Sequence, residues 1–339
     1  MANTMGHTVG IIGAGGWGTA LARLLCEKGI EVVLWCRGEE TFRNISEKRE
    51  NPSYLPGIPL PASLRVTCSL EEAVRGREIL ICAVPSHGVR ATIGPTAAWL
   101  ASQALVVCAT KGIEEGSLKT MGEVLTEALG QDVAERLAFL SGPTFALEVG
   151  RGLPAAVTVA AVNEAVGQEV QATLSTQTFR AYTSRDIVGV QMGGAVKNII
   201  AIAAGISDGL GLGANSRAAL ITRGLAEMTR LAVRRGAEAL TLSGLAGLGD
   251  LVLTCTGELS RNRRVGVDIG RGRRIDQILS QMRMVAEGVK NTASVYRLAR
   301  QLDVEMPIVE QMHCVLNEGK NPVEAVRDLM QRSLKSENG

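Results

Sequence analysis

Residues 8–20 read T-V-G-I-I-G-A-G-G-W-G-T-A, an apolar run passing into G-x-G-x-x-G at Gly13, Gly15 and Gly18. A helix-forming stretch, Thr19 to Lys28, follows at once, and E-V-V-L-W from Glu31 reads as a second strand. This order confines the start of the chain to a βαβ unit. In such a unit Gly13 makes the tight turn, Gly15 lets the backbone approach a pyrophosphate, and Gly18 lets the helix pack closely. The free N–H groups of the helix start then face the phosphates. A purely structural glycine turn is the alternative; the apolar strand before it and the amphipathic helix after it favour a nucleotide. Where NAD-binding folds usually carry Asp or Glu for the ribose 2′-hydroxyl, the second strand ends in Cys36 and Arg37. A guanidinium there suits a 2′-phosphate or stacks on adenine. Arg37 is otherwise an ordinary surface residue. The expected cofactor is NADP or NAD, with NADP(H) tolerated or preferred.

Up to about residue 185 strands and helices alternate. Candidate strands are Thr8–Ile12, Glu31–Trp35, Glu78–Val84, Leu105–Ala109, Leu137–Leu140, Ala155–Ala161 and Phe179–Ala181. Helices are expected over Ser69–Arg75, Ser117–Leu129 and Asn163–Ser175, with a Pro- and Gly-rich loop from Asn51 to Pro61. Such alternation predicts an α/β fold, a doubly wound, mostly parallel sheet. From Asp186 long apolar-periodic helices follow one another. The expected organisation is a dinucleotide-binding domain over 1–185 and an all-helical substrate domain over 186–339, closing over the carboxyl edge of the sheet where ligands bind.

The balance of 36 Lys+Arg against 34 Asp+Glu, with 3% aromatics, predicts no broad attraction to nucleic acid. Seven cysteines, an odd number with no C-x-x-C pair, suggest neither a disulfide framework nor a zinc site, and reduced cytosol is the natural compartment. No charged segment followed by an apolar stretch opens the chain. The apolar helix around 187–212 is interrupted by Lys197 and Asp208, so no membrane span is expected. The three histidines are too dispersed to hold a metal.

Lys197 is the leading catalytic candidate. It lies in a helix otherwise almost free of charge, and its neighbours Gly193, Gly194, Ala201 and Ala204 are small. That face is expected to leave open volume beside the ammonium, with Asp208 returning to nearly the same side; a lysine snorkelling to solvent is the alternative. Burial depresses a lysine's pKa and makes proton exchange near neutrality feasible. Lys111 ends the strand L-V-V-C-A-T, at the sheet edge. In S-G-P-T-F-A-L-E, Gly142 and Pro143 form a turn and Thr144 caps a short helix, its N–H facing an anion. Asp250, in G-L-G-D-L, needs a partner, either a lysine or a substrate hydroxyl, unless it is a helix N-cap. S-R-N-R opens a helix: Ser260 caps it, while Arg261, Asn262 and the free N–H groups suit a phosphate. Glu287, in V-A-E-G-V, either touches the cofactor or caps. A solvated loop lysine, a plain turn and a solvated basic face remain the bland readings of these motifs.

Together the chain resembles the bacterial NAD(P)-dependent glycerol-3-phosphate dehydrogenases. G-A-G-G-W-G-T-A-L-A, N-P-S-Y-L-P-G, A-T-K-G-I, S-G-P-T-F-A-L-E, Lys197-Asn198, G-L-G-D-L, S-R-N-R and E-G-V stand in the family's order and spacing. Gly16 departs from a position where the family often has serine. The resemblance implies reversible reduction of dihydroxyacetone phosphate to sn-glycerol 3-phosphate for glycerophospholipid synthesis. It implies a Rossmann domain and a helical domain like that of 6-phosphogluconate dehydrogenase, usually as a homodimer; the cysteine usage places it in the cytoplasm. Cofactor contacts would fall on Gly16, Trp17, Arg37, Lys111, Ala146, Arg261, Val285 and Glu287. Substrate contacts would fall on Lys111, Gly142, Thr144, Lys197, Asp250, Ser260, Arg261 and Asn262, with Lys197 the proton acceptor in oxidation. The rivals are another two-domain dehydrogenase, of the 3-hydroxyacid or 6-phosphogluconate type, and a protein that binds NADP(H) without turnover.

Overall fold

A computed structural model describes residues 7–282, 286–334 and 336–337. Among the described residues eight strands form one sheet: β1 (Thr8–Ile12), β2 (Glu31–Trp35), β3 (Arg65–Thr67), β4 (Ile79–Cys82), β5 (Leu105–Cys108), β6 (Leu137–Ser141), β7 (Ala155–Ala160) and β8 (Phe179–Ser184). Their order is β3-β2-β1-β4-β5-β6-β7-β8, with every pair parallel except β6–β7. The first six strands thus run in the 3-2-1-4-5-6 order of a dinucleotide-binding sheet, with the switch point between β1 and β4. The alternation of side chains fixes both faces. Ile11, Leu34, Ile81 and Val107 pack in one apolar cluster, and Ile12, Val33, Cys82 and Cys108 pack in another on the opposite face.

Two local expectations shift. Strand β3 is absent from the sequence reading because three residues with Arg65 exposed carry little hydrophobic pattern. The helix expected from Ser117 begins at Met121, where Thr120 and Glu123 close a capping box. An isolated bridge between Ile113 and Thr120 occupies the preceding loop.

Beyond β8, Asp186 caps the helix Ile187–Gly209 by accepting a hydrogen bond from Gly189 N–H at 2.7 Å. Residues Met192 to Ser207 of this core helix are buried without a break. By length and composition it could cross a membrane, as could the stretch Ala239–Thr256, but 83% of the core helix's apolar window is buried inside the protein. Helix Arg261–Gly270 crosses it at backbone contact. A Cβ added at Gly266 would lie 2.1 Å from the Ile202 carbonyl oxygen, and one at Gly205 would lie 2.1 Å from that of Arg263. This approach brings the start of the second helix beside the middle of the first. Gly266→Ala is expected to destabilise the protein by about 1–3 kcal/mol through overpacking. Urea unfolding checks this, and a variant as stable as the parent contradicts the contact.

Candidate active site

The glycine turn leaves β1 with Gly13 at φ +120, its α-carbon facing the Ala83 carbonyl. At Gly18 an added Cβ would lie 1.9 Å from the Gly13 carbonyl oxygen, so the helix Gly16–Glu27 packs as tightly as the motif demands. At Gly15, by contrast, an added Cβ would meet nothing within 4 Å. Gly15 is the N-cap, without a side-chain cap, and no acidic residue occupies the first turn. An open cradle at the start of a twelve-residue helix fits a dinucleotide pyrophosphate. Buried Asn51 braces the turn, donating to the Ala14 carbonyl at 2.9 Å and to Thr19 Oγ1 at 2.8 Å. Gly16 has no room for a side chain, because a Cβ would lie 2.7 Å from the Tyr54 carbonyl oxygen; the same Cβ would touch Ala146, which opens the helix Ala146–Gly150, at 3.5 Å. Trp17 leans on Phe179, their ring centroids 6.3 Å apart. Arg37 is exposed just past β2.

Strand β5 delivers Lys111 to the same edge. Its Nζ donates to the Gly142 carbonyl at 3.3 Å and to Asp250 Oδ2 at 2.5 Å. Lys197, from the core helix, donates to the other oxygen, Asp250 Oδ1, and to Thr254 Oγ1 at 2.8 Å. Asp250 opens the helix Asp250–Thr256 directly after a π-helical turn, Leu245–Gly249, and its side chain is 1% exposed. Thr254, one turn on, donates to the Asp250 carbonyl at 2.6 Å, which leaves its lone pairs to Lys197. Burial pulls the Lys197 pKa down, Asp250 opposes, and Lys111 adds to the fall; the result is about 8. Burial alone would raise Asp250, yet Lys111 and Lys197 hold it below the usual carboxylate range.

The small residues around Lys197 do not enclose open volume, contrary to the sequence reading. Gly193 lies against the Ala246 carbonyl, Gly194 admits the Lys111 stem, and Ala201 and Ala204 are fully buried in the helical core. Nor does Asp208 join Lys197; it binds Arg217 at 2.8 Å and Arg263 at 2.7 Å. Helix packing consumes that face, and Asp250 holds the ammonium instead.

Ser260 caps helix Arg261–Gly270 by accepting from Arg263 N–H at 3.2 Å, and the first turn carries no acid. Asn262 donates to Asn198 Oδ1 at 2.9 Å and accepts from Gly288 N–H at 3.0 Å. This ties the helix start to the residue after Lys197 and to the helix Glu287–Gln301. Surrounding atoms lower the Arg261 pKa, with Glu287 opposing. Glu287 accepts from Ser86 Oγ at 2.7 Å, and burial raises its pKa against Ser86, His87 and Arg261. Thr144 does not cap the short helix, contrary to the sequence reading: Phe145 takes the N-cap position, and Thr144 Oγ1 donates to the Gly142 carbonyl at 3.3 Å, closing the turn instead. Val285 lies outside the described residues. The turn after β6 therefore connects Ala146, beside the glycine loop, to Gly142, beside Lys111.

Thr254 and Ser86 join the site without having been singled out, and Asn198 and Asn51, which stood only within quoted motifs, gain roles of their own. For Thr254 the signal was available: a hydroxyl four residues after a buried helical aspartate. Ser86 follows the carboxyl end of β4 at the switch point, where ligand-facing residues collect.

Family profiles described as NAD-dependent glycerol-3-phosphate dehydrogenase N-terminus and C-terminus match residues 8–167 and 186–327. The chain is 54% identical over 333 residues to glycerol-3-phosphate dehydrogenase [NAD(P)+] of Citrifermentans bemidjiense, covering 98% of this chain and 99% of that protein. Identity is 51% to the protein of the same name from Myxococcus xanthus, covering 96% and 98%. The crystal structure of glycerol-3-phosphate dehydrogenase from Coxiella burnetii superposes with a TM-score of 0.92 at 41% identity, covering 96% of this chain and 99% of that one. The chain belongs to the NAD-dependent glycerol-3-phosphate dehydrogenase family.

Proposed function

We propose that this chain catalyses the reversible, NAD(P)H-dependent reduction of dihydroxyacetone phosphate to sn-glycerol 3-phosphate, supplying glycerophospholipid synthesis. The observation that carries the reading is the pairing of two lysines from different domains on one buried carboxylate. When bound, the nicotinamide supplies or takes up the hydride.

Each lysine ammonium has three N–H donors, and two are engaged on each: Lys111 with Gly142 and Asp250, Lys197 with Asp250 and Thr254. Among the described residues one donor on each is left over, and it serves the substrate. Lys197 gives its proton to the ketone oxygen during reduction and takes it back from the alcohol during oxidation. Lys111 steadies the substrate oxygens, Asp250 holds both lysines in register, and Gly142 and Thr144 shape the wall opposite. Ser260, Arg261 and Asn262 at the helix start bind the phosphate. Gly13, Gly15, Gly16, Trp17 and Gly18 would hold the dinucleotide, with Arg37 for a 2′-phosphate, and Lys111, Ala146, Arg261 and Glu287 would add cofactor contacts, as would Val285 by the family's pattern. In this reading residues 1–185 hold the cofactor and 186–339 the substrate. The protein acts as a cytoplasmic homodimer, a compartment that seven free cysteines suit.

Loss of NADPH or NADH absorbance on adding dihydroxyacetone phosphate tests the reaction; no loss with either cofactor ends the proposal. An unchanged ratio of kcat/KM for the two cofactors in Arg37→Ala removes the 2′-phosphate role. Lys197→Ala should lower kcat by about 10²–10⁴-fold while cofactor affinity stays near the parent's. Reduction needs the protonated lysine, so kcat/KM for the ketone should fall as pH rises through about 8, and that for the alcohol should rise through it. A flat profile across that value excludes Lys197 as the acid. Arg261→Ala should raise KM for the phosphorylated ketone about 10–100-fold, the loss of one charge-assisted contact; an unchanged KM places the phosphate elsewhere.

A further inference from the structure

Lys111 leaves the sheet and reaches Asp250 past the flank of the core helix, and at the crossing stands Gly194. A Cβ built there would lie 3.1 Å from Lys111 Cγ, 3.3 Å from its Cδ and 3.1 Å from Ser141 Oγ. Glycine inside a helix is less favourable than alanine. Gly194 does not adopt a positive φ, so it is the space, not the backbone, that asks for glycine here. Ser141, the last residue of β6, is 4% exposed, and its Oγ has no hydrogen-bond partner among the described residues. The cavity bounded by Lys111, Ser141 and Gln191 measures about 10 Å³, room for little more than one water-sized sphere. The lysine stem has little slack on that side.

We propose that Gly194 and Ser141 form a slot that guides Lys111 across the domain boundary onto Asp250, and that both are positioning residues for the reaction. The catalytic consequence rests on the function proposed above; the geometry does not. With its ammonium fixed 2.5 Å from Asp250 and 3.3 Å from Gly142, Lys111 cannot shift its stem without swinging its charge. Two effects on Lys197 then add. The Lys111 cation, which lowers the Lys197 pKa, moves away, and its hold on Asp250, which raises that pKa, loosens in favour of Lys197. The proton affinity of Lys197 rises on both counts.

The test compares the parent with Gly194→Ala and with Gly194→Ala/Ser141→Ala, which removes the facing hydroxyl. Gly194→Ala should lower kcat with dihydroxyacetone phosphate about ten-fold, as expected for a displacement of less than 1 Å, and move the pH limb upward. Its melting temperature should stay close to the parent's, and the double variant should recover most of the rate and the parental limb. A parental rate and limb in Gly194→Ala, or no recovery in the double variant, overturns the slot. If Gly194→Ala does not fold, Ser141→Val narrows the slot from its other wall and should give the same upward shift; an unmoved limb overturns the proposal. If the parent itself does not reduce the ketone, the functional reading falls. The slot is then decided by crystal structures: a lengthened Lys111–Asp250 contact in Gly194→Ala supports it, and an unchanged one rejects it.

Discussion

One buried carboxylate organises this molecule. Asp250 has 1% of its side chain exposed, and it accepts from an ammonium on each oxygen. Removing three charges from water is costly, and a buried ion pair is seldom a net gain in stability over apolar packing. Here it joins two domains. Lys111 comes from the loop after β5, whereas Lys197 and Asp250 come from helices beyond the sheet. The carboxylate thus fixes how the cofactor-binding edge and the helical core meet. The surplus positive charge favours an electron-rich oxygen between the lysines and depresses the proton affinity of the more deeply buried one.

The helical half serves this arrangement by tight backbone packing. Gly205 and Gly266 let the helix Arg261–Gly270 touch the core helix. That contact places Ser260 and Asn262 beside Asn198, the residue after Lys197. A helix start that carries a guanidinium is the kind of place where anions bind. Its distance from Lys197 is set by helix packing rather than by a loop. A phosphate bound there would present the remainder of a three-carbon substrate to the lysines, while Glu287, through Ser86, ties the same region to the loop after β4. Positioning of this kind converts binding energy into orientation.

Much of this was legible in the amino-acid sequence, because the elements involved have strong local signatures. The strand–glycine–helix start, the alternation up to β8, the one lysine in an apolar helix and the S-R-N-R helix start each rest on short-range physics. What escaped depends on tertiary context. Strand β3 is too short to show a period. The glycines and alanines near Lys197 suggested an empty face, but small residues serve close helix packing equally well, and only the partner helix decides between the two. Asp208 shares the helix with Lys197, yet Arg217 and Arg263 claim it. Thr254 and Asn198 acquire their roles only once Asp250 and Asn262 are in place. A buried carboxylate needing a partner was foreseeable at Asp250; that it would take two lysines was not.

The most direct test of this account is the titration of the Lys197 ammonium itself. NMR of protein labelled with ¹³C at lysine Cε, with the Lys197 signal assigned by its loss in Lys197→Met, follows that one group. The account predicts a midpoint of about 8, the outcome of burial and the Lys111 cation against the Asp250 carboxylate. A midpoint at or above the ordinary lysine value of 10.5 would mean that burial and Lys111 do not outweigh Asp250, and that Lys197 is not the group that exchanges the proton.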